Sequence, residues 1–285
     1  DHVHVKHRGY GNDLKSCTRT GFLPRRNTVL CDKLSRNGNS LANHPHPGYV
    51  GRMNPRLVAF SVHLFTASGA FLAFLAMIAA FNGRWAEMFG WLGAALIVDG
   101  LDGPMARKVD VKKNAAKWDG MILDLIIDYL TYVFIPAVAL VTAAGVMEAP
   151  LSMIGAAIII MTGAIYFVDT SMKTKDHSFQ GFPGCWNMVV LVMFATDIGT
   201  LTSLIIICAI AVAQFFPIRF VHPVRTVLWR PITLPITVAW VVFAGWSAYT
   251  HFEQAPFFTY GLMSTSLYLL FAGMAQQLMG LASSK

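Results

Sequence analysis

Charged side chains are scarce in this chain. Asp, Glu, Lys and Arg make up 13% of its 285 residues, whereas a soluble domain carries roughly 25%. Leu57–Phe81 and Phe257–Leu281 contain no charged residue at all, and each is longer than the roughly 20 residues with which a helix crosses the hydrocarbon core of a membrane. This composition excludes a soluble enzyme and indicates a protein whose surroundings are largely lipid.

Cysteine is also sparse, with four residues in the whole chain. Cys17 and Cys31 lie in a polar N-terminal region, and Cys185 and Cys208 lie in apolar tracts. Their spacing is typical neither of a disulfide framework nor of a cysteine-based metal site, so both are excluded.

Positive charge is concentrated at the N-terminus. Ten of the 22 Lys and Arg residues lie at or before Arg56, and the net charge is +7. A nucleic-acid-binding segment would interleave aromatic residues with such charge, and this region does not show that pattern. We therefore expect no nucleic-acid partner, and instead a tail that lies beside anionic lipid. The tail also lacks an apolar segment typical of a signal peptide. We therefore predict a poorly ordered basic tail over residues 1–55 and a membrane-embedded catalytic domain over residues 56–285.

The hydropathy pattern predicts an all-α fold, a polytopic bundle of about eight transmembrane helices. The predicted spans are Leu57–Phe81, Trp85–Met105, Met121–Val146, Leu151–Val168, Cys185–Thr196, Leu201–Ile218, Ile232–Tyr249 and Phe257–Leu281. The fifth span is the shortest, and Pro183-Gly184 before it is typical of a helix start.

Basic residues alternate between the connections. Every second connection is basic, through Lys108, Lys112, Lys113 and Lys117, then Lys173 and Lys175, then Arg219, Arg225 and Arg230. In the other connections, Arg84 is the only Lys or Arg residue. Because cytoplasmic loops are enriched in Lys and Arg, this alternation places both termini in the cytoplasm and supports an even number of spans.

Four carboxylates lie where lipid is expected. Asp99 and Asp102 are three residues apart near the end of the second span, and Asp124 and Asp128 are four apart in the third. Each pair shares a helix face, and each buried carboxylate costs at least about 2.5 kcal/mol on insertion scales. Because four anionic oxygen donors repel one another, we predict a bound Mg²⁺ or Mn²⁺, with two ions more natural than one. Solvated helix caps are the alternative, and they account for Asp110 and Asp119.

Small residues surround these carboxylates. Gly103 and Ala106 follow Asp102, and Gly120 precedes Asp124 by one turn. Small residues let a bulky group approach a helix closely, and Arg107 can donate two hydrogen bonds to a phosphate. Together these residues favour a site for a metal-bound diphosphate, although close helix packing would also use small residues.

The same residues resemble a known signature. Asp99-Gly-Leu-Asp102-Gly103-Pro-Met-Ala106-Arg107, followed by Gly120-x3-Asp124-x3-Asp128, is similar to the motif of the CDP-alcohol phosphatidyltransferases. Twelve residues separate Arg107 from Gly120, a longer gap than in most of that family and similar to the bacterial phosphatidylcholine synthases. Further stretches resemble that subfamily, namely Ser61–Thr66, Asp128–Val133, Gly181–Pro183 with Trp186-Asn187, and His222-Pro223-x-Arg225. The likeness covers about Leu57 to Leu281.

This resemblance implies a reaction and a set of roles. CDP-diacylglycerol and choline would give phosphatidylcholine and CMP, with Mn²⁺ or Mg²⁺ as cofactor. Asp99, Asp102 and Asp124 would hold the metal, and Asp128 would bind it and accept the proton of the attacking hydroxyl. Gly103, Ala106, Arg107 and Gly120 would line the CDP pocket. The resemblance also implies the bacterial inner membrane, an active site facing the cytoplasm, contact with membrane lipids and a possible homodimer.

Choline is a quaternary ammonium ion, which aromatic faces recognise through cation–π contacts. Tyr166 and Trp186 are our first candidates because they flank a predicted cytoplasmic segment, and Tyr129 and Tyr132 come next. Each of these aromatics could instead anchor a helix at the membrane interface. Arg219 and Arg225 could hold a lipid phosphate, or could merely follow the positive-inside rule.

Two other functions stay open at this point. The same chemistry with serine, glycerol phosphate or inositol phosphate as the acceptor would need a carboxylate partner or additional basic residues near the site. A cation-coupled transporter would also carry intramembrane carboxylates, but such proteins often show internal repeats, and we see none here. The long gap between Arg107 and Gly120 favours choline as the acceptor.

Overall fold

In a computed structural model, the protein is described over residues 54–169, 179–222 and 226–280. Its α-helices are α1 (Pro55–Phe81), α2 (Trp85–Lys108), α3 (Val111–Asn114), α4 (Gly120–Asp128), α5 (Ile135–Thr142), α6 (Leu151–Phe167), α7 (Trp186–Ala195), α8 (Thr200–Ala213), α9 (Arg230–Tyr249) and α10 (Pro256–Leu278). A π-helix, Tyr129–Phe134, joins α4 to α5, and two short strands, β1 (Phe179–Gln180) and β2 (Arg219–Phe220), pair antiparallel. The prediction of a helical protein is confirmed.

Within the described residues, four helical segments are long and apolar enough to cross a membrane. They are Pro55–Phe81, Gly120–Thr142, Arg230–Tyr249 and Pro256–Leu278. Three further predicted spans fall on shorter apolar helices, α6, α7 and α8. The remaining predicted span, Trp85–Met105, falls on α2. This helix contains the acidic residues Glu87, Asp99 and Asp102 and has two basic residues in its last turn. The count of eight spans stays a prediction.

The ends of α1 follow from its sequence. Asn54 caps the helix by accepting a hydrogen bond from the backbone N–H of Arg56, and Pro55 occupies the first helical position, where its missing N–H is not needed. The helix ends before Asn82-Gly83, and Gly83 adopts a positive φ of 66°. The turn is so short that α2 runs back along α1 as its antiparallel neighbour.

The side chains of α1 are arranged with the small residues inside. Its buried positions include Ala59, Gly69, Ala73 and Ala76, whereas large side chains such as Phe71 (61% exposed) point outward. Helices that pack together in lipid show this arrangement, because small residues allow close approach and lipid accommodates the large ones.

Two predicted caps have different outcomes. Asp119 caps α4, since its Oδ1 atom accepts hydrogen bonds from the N–H groups of Met121 and Ile122 at 2.9 and 3.2 Å. Asp110 precedes α3 in the left-handed conformation, and its side chain makes no capping hydrogen bond. Asp110 is thus exposed at the N-cap position of α3, as predicted for a solvated helix-terminal residue, but its side chain does not cap the helix.

The main core lies where α5, α6, α7 and the π-helix meet. Val133, Leu140, Ile159 and Trp186 are fully buried there. Gly163 of α6 makes this contact possible, because a Cβ at that position would lie 2.6 Å from a methyl carbon of Val133. The core thus fixes the π-helix and the residues just before it, which contribute to the candidate site.

Candidate active site

Three of the four predicted carboxylates come together. Asp99 of α2 and Asp124 and Asp128 of α4 each place a carboxylate oxygen within 4.8 Å of the other two. All three are half-buried. Oxygen ligands lie about 2.1 Å from Mg²⁺, so oxygens at this separation need only a small adjustment to share one ion. The donor set, all of it carboxylate oxygen, is the one that hard divalent cations prefer.

The fourth carboxylate stands slightly apart. Asp102 is 8% exposed, and its Oδ2 atom accepts a hydrogen bond of 2.8 Å from the hydroxyl of Thr66 on α1. It lies one turn beyond Asp99 on α2 and lines the same cavity as the other three. The structure therefore brings the predicted four to one cavity but groups three of them most tightly.

The cavity is formed by four segments of the chain. Its walls are Thr66 and Gly69 of α1, Ala95, Val98, Asp99 and Asp102 of α2, Asp124, Ile127 and Asp128 of α4, and Thr131 of the π-helix. Gly69 lets α1 and α4 approach, since a Cβ at that position would lie 2.9 Å from Cγ2 of Ile127. A strongly acidic pocket with apolar walls is thus enclosed between α1, α2 and α4.

Asp99 has a buried partner on the π-helix. The hydroxyl of Tyr132 donates a hydrogen bond of 2.7 Å to Oδ2 of Asp99, a distance typical of a bond to a charged oxygen. Tyr132 is 9% exposed. Such a bond fixes the orientation of a ligating carboxylate, as partners behind metal ligands commonly do.

The predicted CDP-pocket residues lie toward the N-terminal ends of α1 and α4. Gly120 is in contact with His63, because a Cβ on this glycine would lie 3.0 Å from Cε1 of the imidazole. Gly103 directly follows Asp102, Ala106 packs on a small cluster that includes Ala59 and Val62, and Arg107 is exposed in the last turn of α2. None of Gly103, Ala106, Arg107 and Gly120 is itself among the residues that line the cavity, although Gly103 directly follows Asp102 and Gly120 lies one turn before Asp124.

The four candidate choline contacts are placed differently. Tyr166 and Trp186 are buried in the core, at 2% and 0% exposed. The hydroxyl of Tyr166 and the indole N–H of Trp186 have no hydrogen-bond partner among the described residues. Tyr129 donates a hydrogen bond of 3.1 Å to the carbonyl of Ile160 on α6, whereas the hydroxyl of Tyr132 is used by Asp99. The structure does not gather these aromatics around one open face.

The two arginines predicted to hold a lipid phosphate are not both described. Arg219 lies in β2, where its backbone N–H donates a hydrogen bond of 3.0 Å to the side chain of Gln277. Gly273 of α10 allows this approach, since a Cβ there would overlap the carbonyl of Arg219. Arg225 lies outside the described residues.

Sequence reasoning missed the contribution of α1. Thr66 binds Asp102, and His63 contacts Gly120 from the same helix face one turn earlier. Both side chains are buried, at 7% exposed, within a largely apolar helix. Their spacing of three residues on such a helix was the signal that could have identified them.

Comparison with known proteins gives a consistent set of relatives. A phosphatidylcholine synthase of Brucella melitensis is 48% identical over 224 residues, which cover 79% of this chain and 81% of the relative. Phosphatidylcholine synthases of Mesorhizobium japonicum (52% identical, 66% of this chain and 70% of the relative) and Rhizobium meliloti (45% identical, 77% and 91%) also match. No protein-family model matches the chain.

Proposed function

The chain belongs to the phosphatidylcholine synthase family, and we propose that it condenses CDP-diacylglycerol with choline to give phosphatidylcholine and CMP. The observation that carries the proposal is the convergence of Asp99, Asp124 and Asp128 on one cavity. These are three of the four carboxylates of the signature by which this chain resembles the CDP-alcohol phosphatidyltransferases, so the chemistry of the site and the resemblance agree.

Asp99, Asp102, Asp124 and Asp128 would hold Mn²⁺ or Mg²⁺, in a site for two ions. All four line the cavity, and they offer eight carboxylate oxygens to hard cations. When bound, the metal would neutralise the charge of the diphosphate during transfer of the phosphatidyl group. The hydrogen bonds from Thr66 and Tyr132 hold Asp102 and Asp99 in fixed orientations, which limits the reorganisation needed for binding.

Asp128 would act as the general base. The hydroxyl oxygen of choline attacks the phosphorus that carries the diacylglycerol, the bond from that phosphorus to the oxygen of CMP breaks, and CMP departs with the electron pair. The hydroxyl proton passes to a carboxylate oxygen of Asp128, which lies on the cavity wall one turn beyond Asp124. A positioned base of this kind typically contributes about 10²–10⁴-fold to the rate.

The nucleotide would bind beside the carboxylate cavity, in contact with Gly103, Ala106 and Gly120. Arg107 is exposed there and can form a bidentate contact with a phosphate. For choline, Tyr166 and Trp186 stay our first candidates, with Tyr129 and Tyr132 next, through cation–π contact. Arg219 and Arg225 would bind the lipid phosphate.

The enzyme would reside in the bacterial inner membrane with eight spans, both termini in the cytoplasm and the site on the cytoplasmic side. The outward-facing phenylalanines of α1 and the four long apolar helices support an environment of lipid. Charge alternation between the connections supports the orientation. A homodimer is part of the same proposal and is tested by the mass of the purified protein in detergent.

An acceptor screen tests the proposed function. Purified enzyme receives CDP-diacylglycerol, Mn²⁺ and one radiolabelled acceptor, which is choline, serine, inositol phosphate or glycerol phosphate. We expect label in lipid with choline alone, and only while Mn²⁺ or Mg²⁺ is present. Transfer to another acceptor would contradict choline as the substrate but support the proposed type of reaction. No transfer to any acceptor would contradict the proposal that the protein is a phosphatidyltransferase.

A further inference from the structure

His63 is a buried polar side chain that the reaction described above does not use. It lies on α1 and is 7% exposed. Its Nε2 atom is buried and has no hydrogen-bond partner among the residues that the structure describes. His63 is not itself among the residues that line the cavity, but Thr66 and Gly69 of the same helix are. Buried polar groups are nearly always hydrogen-bonded, so its unsatisfied ring nitrogen needs an explanation.

Two contacts locate the imidazole relative to the carboxylates. Thr66, one turn after His63 on α1, donates to Asp102. Gly120, against which the ring packs, lies one turn before Asp124 on α4. Since one turn of helix rises about 5.4 Å, the imidazole lies one turn from the carboxylate cluster on two different helices. It is on the side of Gly103, Ala106 and Gly120, the residues proposed to contact the nucleotide.

The packing against Gly120 also fixes where Nε2 lies. A Cβ on Gly120 would be 3.0 Å from Cε1 and 3.5 Å from Nδ1 of His63. Because Cε1 and Nδ1 are the ring atoms nearest to Gly120, Nε2 lies farther from this glycine than either of them. Glycine permits this close approach, since a Cβ at position 120 would require the ring to shift by a few tenths of an ångström.

We propose that the Nε2–H group of His63 donates a hydrogen bond to a phosphate oxygen of the bound cytidine nucleotide. This inference rests on the proposed function, since it requires a nucleotide beside the carboxylate cavity. Gly103, Ala106 and Gly120 supply no side-chain donor, and Arg107 is exposed at the end of α2. His63 supplies a donor from the opposite helix, so the phosphate would be held between α1 and α2.

The experiment compares His63→Phe with His63→Gln. Phenylalanine keeps the ring but has no donor, whereas the side-chain amide of glutamine places an N–H group near the position of Nε2. Binding of CMP to purified enzyme with Mn²⁺ is measured by calorimetry, in parallel with the KM values for CDP-diacylglycerol and choline. Cytidine, which has no phosphate, serves as the second ligand. Ser203→Ala is the control, because Ser203 is also buried with an unpartnered hydroxyl but lies on α8, a helix that contributes no residue to the cavity, whereas the helix of His63 contributes Thr66 and Gly69.

We expect His63→Phe to weaken CMP binding and raise the KM for CDP-diacylglycerol by about 10- to 100-fold, the range for a hydrogen bond to a charged group. Cytidine binding and the choline KM should change less than about twofold, and His63→Gln should recover part of the loss. Unchanged CMP affinity in both variants, or an equal loss for CMP and cytidine, would overturn the assignment to phosphate. A rise confined to the choline KM would also overturn it.

Failure of the proposed function gives a different result. If the wild-type enzyme bound CMP but transferred phosphatidyl groups to no acceptor, the CMP titration would still decide the role of His63. If wild-type activity were normal and the His63 variants matched Ser203→Ala in every measurement, the inference would fail while the proposed function stood.

Discussion

Replacing Tyr132 by Phe removes one hydroxyl and leaves the ring in its buried position. In the wild type this hydroxyl donates to Oδ2 of Asp99 at 2.7 Å, and the side chain is 9% exposed. A hydrogen bond to a charged group contributes about 1.5–3 kcal/mol, and each 1.4 kcal/mol corresponds to about tenfold in an equilibrium constant. We therefore expect the affinity for Mn²⁺ to fall by about 10- to 100-fold, which also matches the usual effect of mutating the partners behind metal ligands.

The assay separates metal affinity from substrate affinity. The Mn²⁺ concentration that gives half-maximal activity is determined at saturating CDP-diacylglycerol and choline, and Mn²⁺ binding is measured independently by electron paramagnetic resonance. Because Phe fills the same volume, we expect kcat to return toward the wild-type value at saturating Mn²⁺. The choline KM should stay within about twofold of the wild type, since such a positioning bond acts through Asp99.

Tyr129→Phe is the matched control. Tyr129 begins the same π-helix, but its hydroxyl donates to the backbone carbonyl of Ile160. The same loss of one hydroxyl should therefore leave the Mn²⁺ dependence unchanged. If Tyr132→Phe raised the choline KM and left the Mn²⁺ dependence at the wild-type value, Tyr132 would be a choline contact, as the sequence alone allows, and the reasoning from the Asp99 bond would be refuted.

Further predictions concern the carboxylates, the acceptor site and the topology. Asp124→Ala should abolish turnover and Mn²⁺ binding while the protein stays in the membrane fraction; substantial activity in this variant would contradict the shared metal site. Asp128→Asn keeps the volume of the side chain but removes the base, so kcat should fall by about 10²–10⁴-fold while CMP binding is retained. A loss confined to CMP binding would show that another residue is the base. Trp186→Ala should raise the choline KM but not the KM for CDP-diacylglycerol, through the loss of a cation–π contact of about 0.5–2 kcal/mol; equal changes in both would indicate a packing role. A cysteine at Lys113 should react with a membrane-impermeant reagent only from the cytoplasmic side and one at Gln254 only from the opposite side, whereas labelling of both from one side would contradict the eight-span topology.

The shared helix face within each pair of carboxylates was predictable because it depends on local spacing. Asp99 is three residues from Asp102 and Asp124 is four from Asp128, so each pair shares a helix face whatever the surroundings. The apolar tracts likewise predicted the long helices. The third predicted span, Met121–Val146, corresponds to a continuous helical segment that ends at Thr142.

The tertiary partners of these carboxylates were not predictable in the same way. Thr66 and Asp102 are 36 residues apart, and Tyr132 and Asp99 are 33 apart, so no local pattern links them. The π-helix was not predictable either, because the sequence of Tyr129–Phe134 is typical of a regular apolar α-helix. Tyr166 and Trp186 were placed at the edge of a cytoplasmic segment by hydropathy, yet tertiary packing buries both.

The first helix shows why a signature motif describes this site incompletely. The motif lies on α2 and α4 and provides two walls of the cavity, while α1 closes the third side with Thr66 and Gly69. His63, Thr66 and Gly69 are spaced three residues apart and are all buried on the face toward α2 and α4. A polar group inside an apolar helix is costly unless it has a partner. The buried polar residues of α1 are therefore best understood as part of the reaction site, with Thr66 holding a carboxylate and His63 placed to meet the nucleotide.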